Sequence, residues 1–181
     1  MLKLFLSRYL DKFEKTFGYD ASYMRHVLRV SPFSLFKFSL GTQATDLRAA
    51  PPEALVAAGL YGTLTEDCGP CVQVGVDIAT ANGVDPKVLR AIVAGDLEAM
   101  GETASLGYRF ARASLARDLE ACDPLRDEIV RRWGDKALVA ISLGIVASRM
   151  YPTLKYALGY GKSCSRVQVW GETVVPSRLA A

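Results

Sequence analysis

Two cysteines set three positions apart are the residues of this 181-residue chain whose type and spacing can do chemistry. Cys68-Gly69-Pro70-Cys71 places both sulfurs within one turn of a helix that begins at about Cys68. Pro70 suits such a start, because a proline in the first turn gives up an N–H that has no partner there. A thiolate at a helix N-terminus lies at the positive end of the peptide dipoles, which lowers its pKa. The neighbouring sulfur can then resolve whatever the first one forms. Such a pair is expected to exchange with disulfides, or to reduce a peroxide through a sulfenic acid. On the dipole alone, Cys68 is the more acidic thiol, because it is nearer the helix start. Two other roles fit the same residues. Zinc wants four ligands, and no second close pair of Cys or His completes the set, since His26 is the single histidine. Two packed cysteines without reactivity are the third role, because free Cys is often a small buried hydrophobe. The redox dithiol is the favoured reading.

A helical chain must position this pair. Half of the residues are hydrophobic, 23% are charged and the mean hydropathy is +0.15. That composition can bury a core and excludes a disordered chain. Fifteen Gly and eight Pro exclude collagen-like and low-complexity classes, and four Cys are too few for a secreted disulfide scaffold. At 19.7 kDa the chain is one domain, or one domain with arms.

Leu2, Leu4, Phe5, Tyr9, Leu10, Phe13 and Phe17 recur mostly at steps of three and four, the stripe of an amphipathic helix. Asp20 can cap a second helix carrying Tyr23, Met24, Val27 and Leu28. Ser31-Pro32 reads as the cap and first turn of a helix that stops at Gly41. Pro51 and Pro52 open an Ala- and Leu-rich helix over about residues 53–64. Asn82-Gly83 ends the cysteine helix, and Asp85-Pro86 opens the next, through about Ala94. Residues 101–118 form a long helix, and Asp123-Pro124 starts another that ends near Gly134. Asp135 caps an apolar helix over 136–149, and Pro152 breaks or kinks the chain before a last stretch to Gly159. Only residues 166–175 alternate like strands. The expected fold is all-α, with about eight or nine helices. Residues 1–45 form an N-terminal helical arm packed on a helical domain of residues 46–181.

Net charge is +3, unevenly spread. Residues 1–49 carry eight basic and four acidic groups, residues 50–148 nine and fourteen, and residues 149–181 five and one. Basic ends on an acidic middle can pair within or between subunits. No Lys- and Arg-rich run with interleaved aromatics occurs, so no nucleic-acid partner is expected. The longest apolar run, Ala137–Ala147, is shorter than the roughly 20 residues that span a bilayer. The apolar start is soon interrupted by Arg8, Asp11 and Lys12, with no cleavage site after it. A cytoplasmic protein with reduced thiols and no membrane span is expected.

Cys-Gly-Pro-Cys is also the tetrapeptide of thioredoxins, but those place it after a strand. Here the preceding ALVAAGLYGTLTED reads as helix. A helix, a short turn, C-x-x-C at the next helix start and an all-α chain resemble the alkylhydroperoxidase D-like (AhpD-like), or carboxymuconolactone decarboxylase, superfamily. The resemblance is best over residues 50–100 and extends to about 160. It implies an AhpD-like helical bundle, a homo-oligomer, and a thiol-dependent peroxidase or disulfide oxidoreductase with no metal or organic cofactor. The partners implied are a peroxide or disulfide substrate and a thiol reductant. It makes Cys71 peroxidatic and Cys68 resolving, opposite to the order the dipole favours. The family also has a Glu about a dozen residues before the first Cys and a His four after the second. Here those positions are Val56 and Gly75. Glu66, Asp67 and Glu53 are the available substitutes. Glu66, two residues before Cys68, is close enough to exchange a proton with a thiol, and Asp67 is a candidate N-cap. The departures leave room for a carboxymuconolactone decarboxylase-like lyase, or for a non-catalytic oligomeric helical protein.

The remaining candidates are minor. His26 sits between apolar positions and is expected to pack. Gln73 and Asp77 are hydrogen-bonding residues of the cysteine helix. Cys122 lies at a helix start, and Cys164 stands between Lys162 and Arg166. Tyr151, Lys155, Tyr156 and Tyr160 can line a pocket or an interface.

Overall fold

Residues 1–161 and 167–176 are described in a computed structural model of the chain. Among them the fold is all-α: nine helices and one short β-hairpin. Most helices start and stop where proline, a capping side chain or glycine directs. α3 (Pro32–Gly41) follows Ser31, whose hydroxyl accepts from the Ser34 N–H at 3.3 Å. α4 (Pro52–Thr65) and α5 (Gly69–Ala81) each carry Pro in the first turn. α6 (Pro86–Ala94) is capped by Asp85, which accepts from the Lys87 N–H at 2.8 Å, and ends on Gly95 at φ 74°. α7 spans Gly101–Ala116.

Four boundaries or faces differ from the sequence reading. α1 (Leu2–Phe17) buries Leu6 and Leu10, with Leu2, Phe13 and Phe17 partly buried beside them, while Leu4, Phe5 and Tyr9 stay exposed. At 100° per residue, positions 2, 6, 10, 13 and 17 share one side, and the apolar set is too wide for a single face. In α2 (Ser22–Val30) the cap position falls to Ala21, and Asp20 instead accepts from the Ser22 N–H at 3.0 Å. α8 (Leu119–Trp133) begins before Asp123-Pro124, because Asp118 caps it by accepting from the Ala121 N–H at 3.0 Å. Pro124 then lies inside the helix, where the carbonyl it strands belongs to Glu120, an exposed residue that water can serve.

α9 (Asp135–Ala157) likewise runs unbroken through Pro152, and Gly134, not Asp135, is its cap. Proline at 152 strands the Ser148 carbonyl. The Thr63 hydroxyl of α4 stands 3.3 Å from that oxygen and supplies the missing donor, while also reaching the Gly59 carbonyl at 3.2 Å. Thr63→Val, which keeps the shape and removes the donor, is expected to lower unfolding free energy by about 1–3 kcal/mol in urea titrations. An unchanged midpoint would show that the stranded carbonyl is served otherwise. With its 23 residues joined, α9 is long and apolar enough to cross a membrane by length and composition, with a best window of mean hydropathy 1.4. Ala137, Ala140, Ile141, Ile145, Pro152 and Lys155 are its buried positions.

α4 is the axis of the fold. Its residues are buried nearly all round, and α5, α6, α7 and α9 pack against it. Small residues make that possible. Gly107 of α7 lies directly on the Ala54 backbone, and Gly62 lies on α9 at Ile145 and Ser148. The Tyr61 and Tyr108 rings meet edge-on at 4.7 Å between α4 and α7. β1 (Val167–Val169) and β2 (Glu172–Val174) pair antiparallel through a two-residue turn, with Trp170 at φ 52° and Gly171 at φ 77°. Val167 and Val169 bury into the same core.

α1, α2 and α3 form a second apolar cluster from Leu6, Leu10, Tyr19, Tyr23, Met24, Leu28 and Leu35. It rests on Tyr151, Leu154 and Leu158 from the end of α9, and on Cys71 and Val74 of α5. Arg25 ties α2 to α1 by ion pairs with Asp11, at 2.7 Å, and with Glu14. The hydrogen bond from Arg25 holds the Glu14 carboxyl below the usual range. The cysteine helix thus starts at the seam of the two clusters.

Candidate active site

The turn before the cysteines is tight. Thr65 ends α4, Glu66 is its cap, and Asp67 adopts φ 48° in the left-handed region. That conformation denies Asp67 the expected role of N-cap. Cys68 takes that position, and no side chain caps α5. The Cys68 carbonyl accepts from the N–H groups of Cys71 (2.9 Å) and Val72 (3.0 Å), which starts the helix. Gly69 and Pro70 form its first turn, and Cys71 follows. The two Cα atoms are 5.3 Å apart, and the sulfurs are paired at disulfide distance. The side chains expected to act together are therefore adjacent.

They are not equivalent. Cys68 is 1% exposed and enclosed in protein. Cys71 is partly exposed and lines a cavity of about 380 Å³. The walls come from α1 and α2 on one side and from α4, α5 and α9 on the other, and are mostly apolar: Phe13, Met24, Leu60, Val74 and Ile78 among them. Tyr9 and Gln43, both exposed residues, stand in the lining and open it to solvent. Val56 and Gly75 also line it. The positions where the resemblance would set Glu and His thus converge with Cys71 on one wall. Neither carries a polar side chain, and a Cβ at Gly75 would come within 2.8 Å of Leu60 Cδ2.

Besides Gln43, the polar side chains of this cavity are hydroxyls, and they come from elsewhere. Tyr19 Oη lies 3.4 Å from Cys71 Sγ and 3.4 Å from Tyr23 Oη. Burial pushes both phenols above the ordinary tyrosine range, so both stay neutral. Tyr151, Thr63 and Ser148 add hydroxyl-bearing residues to the lining. Lys155, buried, sets its Nζ 5.0 Å from the centre of the Tyr19 ring and 5.9 Å from that of Tyr23. The composition of residues 1–45 holds no pattern that marks Tyr19. Its signal is only the density of Tyr and Phe between positions 9 and 23.

The carboxylates lie apart from this group. Glu66 accepts from Arg149 Nε at 2.6 Å and from the Thr153 hydroxyl at 3.0 Å, so its carboxylate is turned to α9. No hydrogen bond joins it to either cysteine among the described residues. Asp67 contributes its backbone carbonyl, which accepts from Tyr156 Oη at 2.9 Å. Glu53 is in the first turn of α4, where it complements the helix dipole, and is outside the cavity lining.

Other sequence candidates have structural partners. His26 Nδ1 pairs with Tyr160 Oη at 3.2 Å. Gln73 donates to Asp77 and to the Gln168 carbonyl, and its Oε1 accepts from the Gln168 N–H, so it fastens β1 to α5. Cys122 is buried against Ser114 Oγ at 3.4 Å. Cys164, with Lys162 and Arg166, lies outside the described residues. Among the described residues, no group of three or more His, Cys, Asp or Glu could hold a metal ion. Set against known protein families, curated proteins and solved structures, the chain matches none.

Proposed function

We propose that this protein is a thiol-dependent peroxidase or disulfide oxidoreductase working through Cys68 and Cys71, as an AhpD-like, cytoplasmic homo-oligomer without metal or organic cofactor. The observation that carries the reading is the asymmetry of the pair: one sulfur at the wall of an apolar cavity, the other sealed behind it. An attacking sulfur needs access and a resolving sulfur needs only proximity. This favours Cys71 as the nucleophile and Cys68 as the resolver.

The peptide dipoles at a helix start favour a thiolate in the first turn. The Cys71 thiolate attacks the terminal oxygen of a hydroperoxide ROOH. The S–O bond forms, the O–O bond breaks, and the alkoxide leaves and takes a proton from water to give ROH. Cys68 then condenses with the sulfenic acid, releasing water and forming the disulfide. An external dithiol restores both thiols and is itself oxidised. About 380 Å³ of mostly apolar space suits a small organic hydroperoxide better than a protein disulfide.

Glu66 has a positioning role in this reading. Its ion pair with Arg149 fastens the turn before Cys68 to α9. Glu66→Gln is expected to lower stability while leaving the pH midpoint of Cys71 reactivity in place. A general base at Glu66 would move that midpoint and reduce turnover about 10²-fold or more.

The decisive measurement is thiol titration of the reduced protein before and after one equivalent of cumene hydroperoxide. Cys68 and Cys71 should be lost together, as an intramolecular disulfide read by mass. The apolar Val56 and Gly75 positions favour a second reading, a carboxymuconolactone decarboxylase-like lyase in which the thiols are not essential. Under that reading the thiols persist through exposure to peroxide.

A further inference from the structure

One residue of the turn between α1 and α2 reaches the sulfur that faces the cavity. We propose that Tyr19 is a catalytic residue of the dithiol site, its hydroxyl donating to the Cys71 thiolate while Tyr23 donates to Tyr19 behind it. This rests on the dithiol reading of the cavity, and gives residues 1–45 a chemical part in it.

The geometry is set by packing. The Tyr19 ring meets Phe13 edge-on at 5.6 Å and Tyr23 edge-on at 6.4 Å, so its hydroxyl is held 3.4 Å from Cys71 Sγ. In the disulfide the sulfur carries no hydrogen and no charge, and the Tyr19 hydroxyl donates to Tyr23. Reduction by the external dithiol gives two thiols, and Cys71 carries a negative charge once it loses its proton. A hydroxyl hydrogen is free to rotate. The Tyr19 O–H then turns to the thiolate, and the Tyr23 O–H turns to the Tyr19 oxygen. Both phenols are neutral over the range in which a thiol ionises, so neither hydrogen is lost. A hydrogen bond to the charged form favours that form.

Other charges face the same place. Lys155 of α9 lies over the Tyr19 ring and also favours a thiolate. Asp20, next in the chain, acts on Tyr19 with the opposite sign and helps keep its phenol neutral. Burial raises the Tyr9 phenol of α1, which stays uncharged near neutrality, and Tyr151 of α9 lines the same cavity. Replacing Tyr19 with Phe leaves all of these groups and the ring packing in place, so it isolates the hydroxyl. In turnover Tyr19 keeps its proton. The thiol proton goes to water, and the leaving alkoxide takes one back.

The test is alkylation of the reduced full-length protein by iodoacetamide across pH, read by mass at the Cys71 peptide. In Tyr19→Phe the midpoint should rise by about one pH unit, with the rate near neutrality falling about tenfold and the high-pH plateau unchanged. Tyr23→Phe should give a smaller shift of the same sign, and serves as the readout should Tyr19→Phe fold poorly. An unmoved midpoint in a folded Tyr19→Phe protein overturns the proposal. The same preparations are assayed with cumene hydroperoxide. A Tyr19-dependent midpoint without peroxide turnover upholds Tyr19 and removes the peroxidase reading. Turnover with an unmoved midpoint does the reverse.

Discussion

Cys71→Ser is expected to reduce hydroperoxide turnover at least about 10³-fold, which corresponds to roughly 4 kcal/mol of barrier. A serine hydroxyl in the same place is almost wholly un-ionised near neutrality. Among the described residues the side chain in hydrogen-bond reach of that position is Tyr19, a neutral phenol that does not deprotonate it. Cys68→Ser should behave differently. Cys71 still faces the cavity there and still reacts once, but no sulfur lies behind it to form the disulfide. The first equivalent of hydroperoxide is consumed and turnover stops, with a sulfenic acid trapped at Cys71 by dimedone. Mass spectrometry of the two variants separates the roles. Trapping at Cys68 in the Cys71→Ser protein, with full first-step rate, would reverse the assignment and restore the order that the helix dipole favours.

The largest effect on stability is expected at Gly107. A Cβ there would lie 2.3 Å from the Ala54 carbonyl oxygen and 2.9 Å from its carbon. Both are backbone atoms of the central helix, so no rotamer change relieves the clash, and α4 and α7 must separate. Overpacking of a core usually costs about 1–3 kcal/mol, and a displaced backbone more. Gly107→Ala should therefore lose about 3 kcal/mol or more in urea unfolding, and Gly107→Val should fail to accumulate as folded protein. Gly62→Ala is the useful contrast. Its Cβ meets chiefly the Ser148 hydroxyl, a side-chain end that can turn away. A Gly107→Ala protein as stable as the wild type would mean that α4 and α7 do not cross this closely.

Much of the scaffold was legible from residue types because helix ends are local. Ser31-Pro32, Asp85-Pro86 and Asn82-Gly83 act through backbone groups within a few residues, and they stand where the helices begin and end. Asp20, Asp67 and Asp135 each miss the cap position by one residue, and the larger failures were of another kind. Pro124 reads as a helix start and Pro152 as a break or kink, yet each lies inside a helix. A proline is tolerated wherever the carbonyl it strands finds another donor. For Pro152 that donor is Thr63, eighty-five positions away from Ser148. No local pattern contains it. The stripe of α1 failed for a related reason: several apolar faces are possible, and the partner surface selects one.

The site divides in the same way. Residue type and spacing alone determined an all-α chain with two cysteines in one turn at a helix start, because chain geometry over four residues requires no knowledge of the rest. Tertiary structure decided which sulfur meets open space. It also turned Glu66 to Arg149 and brought Tyr19 to Cys71 across fifty-two positions of chain. Those outcomes depend on how α1, α2 and α9 pack over α5, and packing is a property of surfaces far apart in sequence.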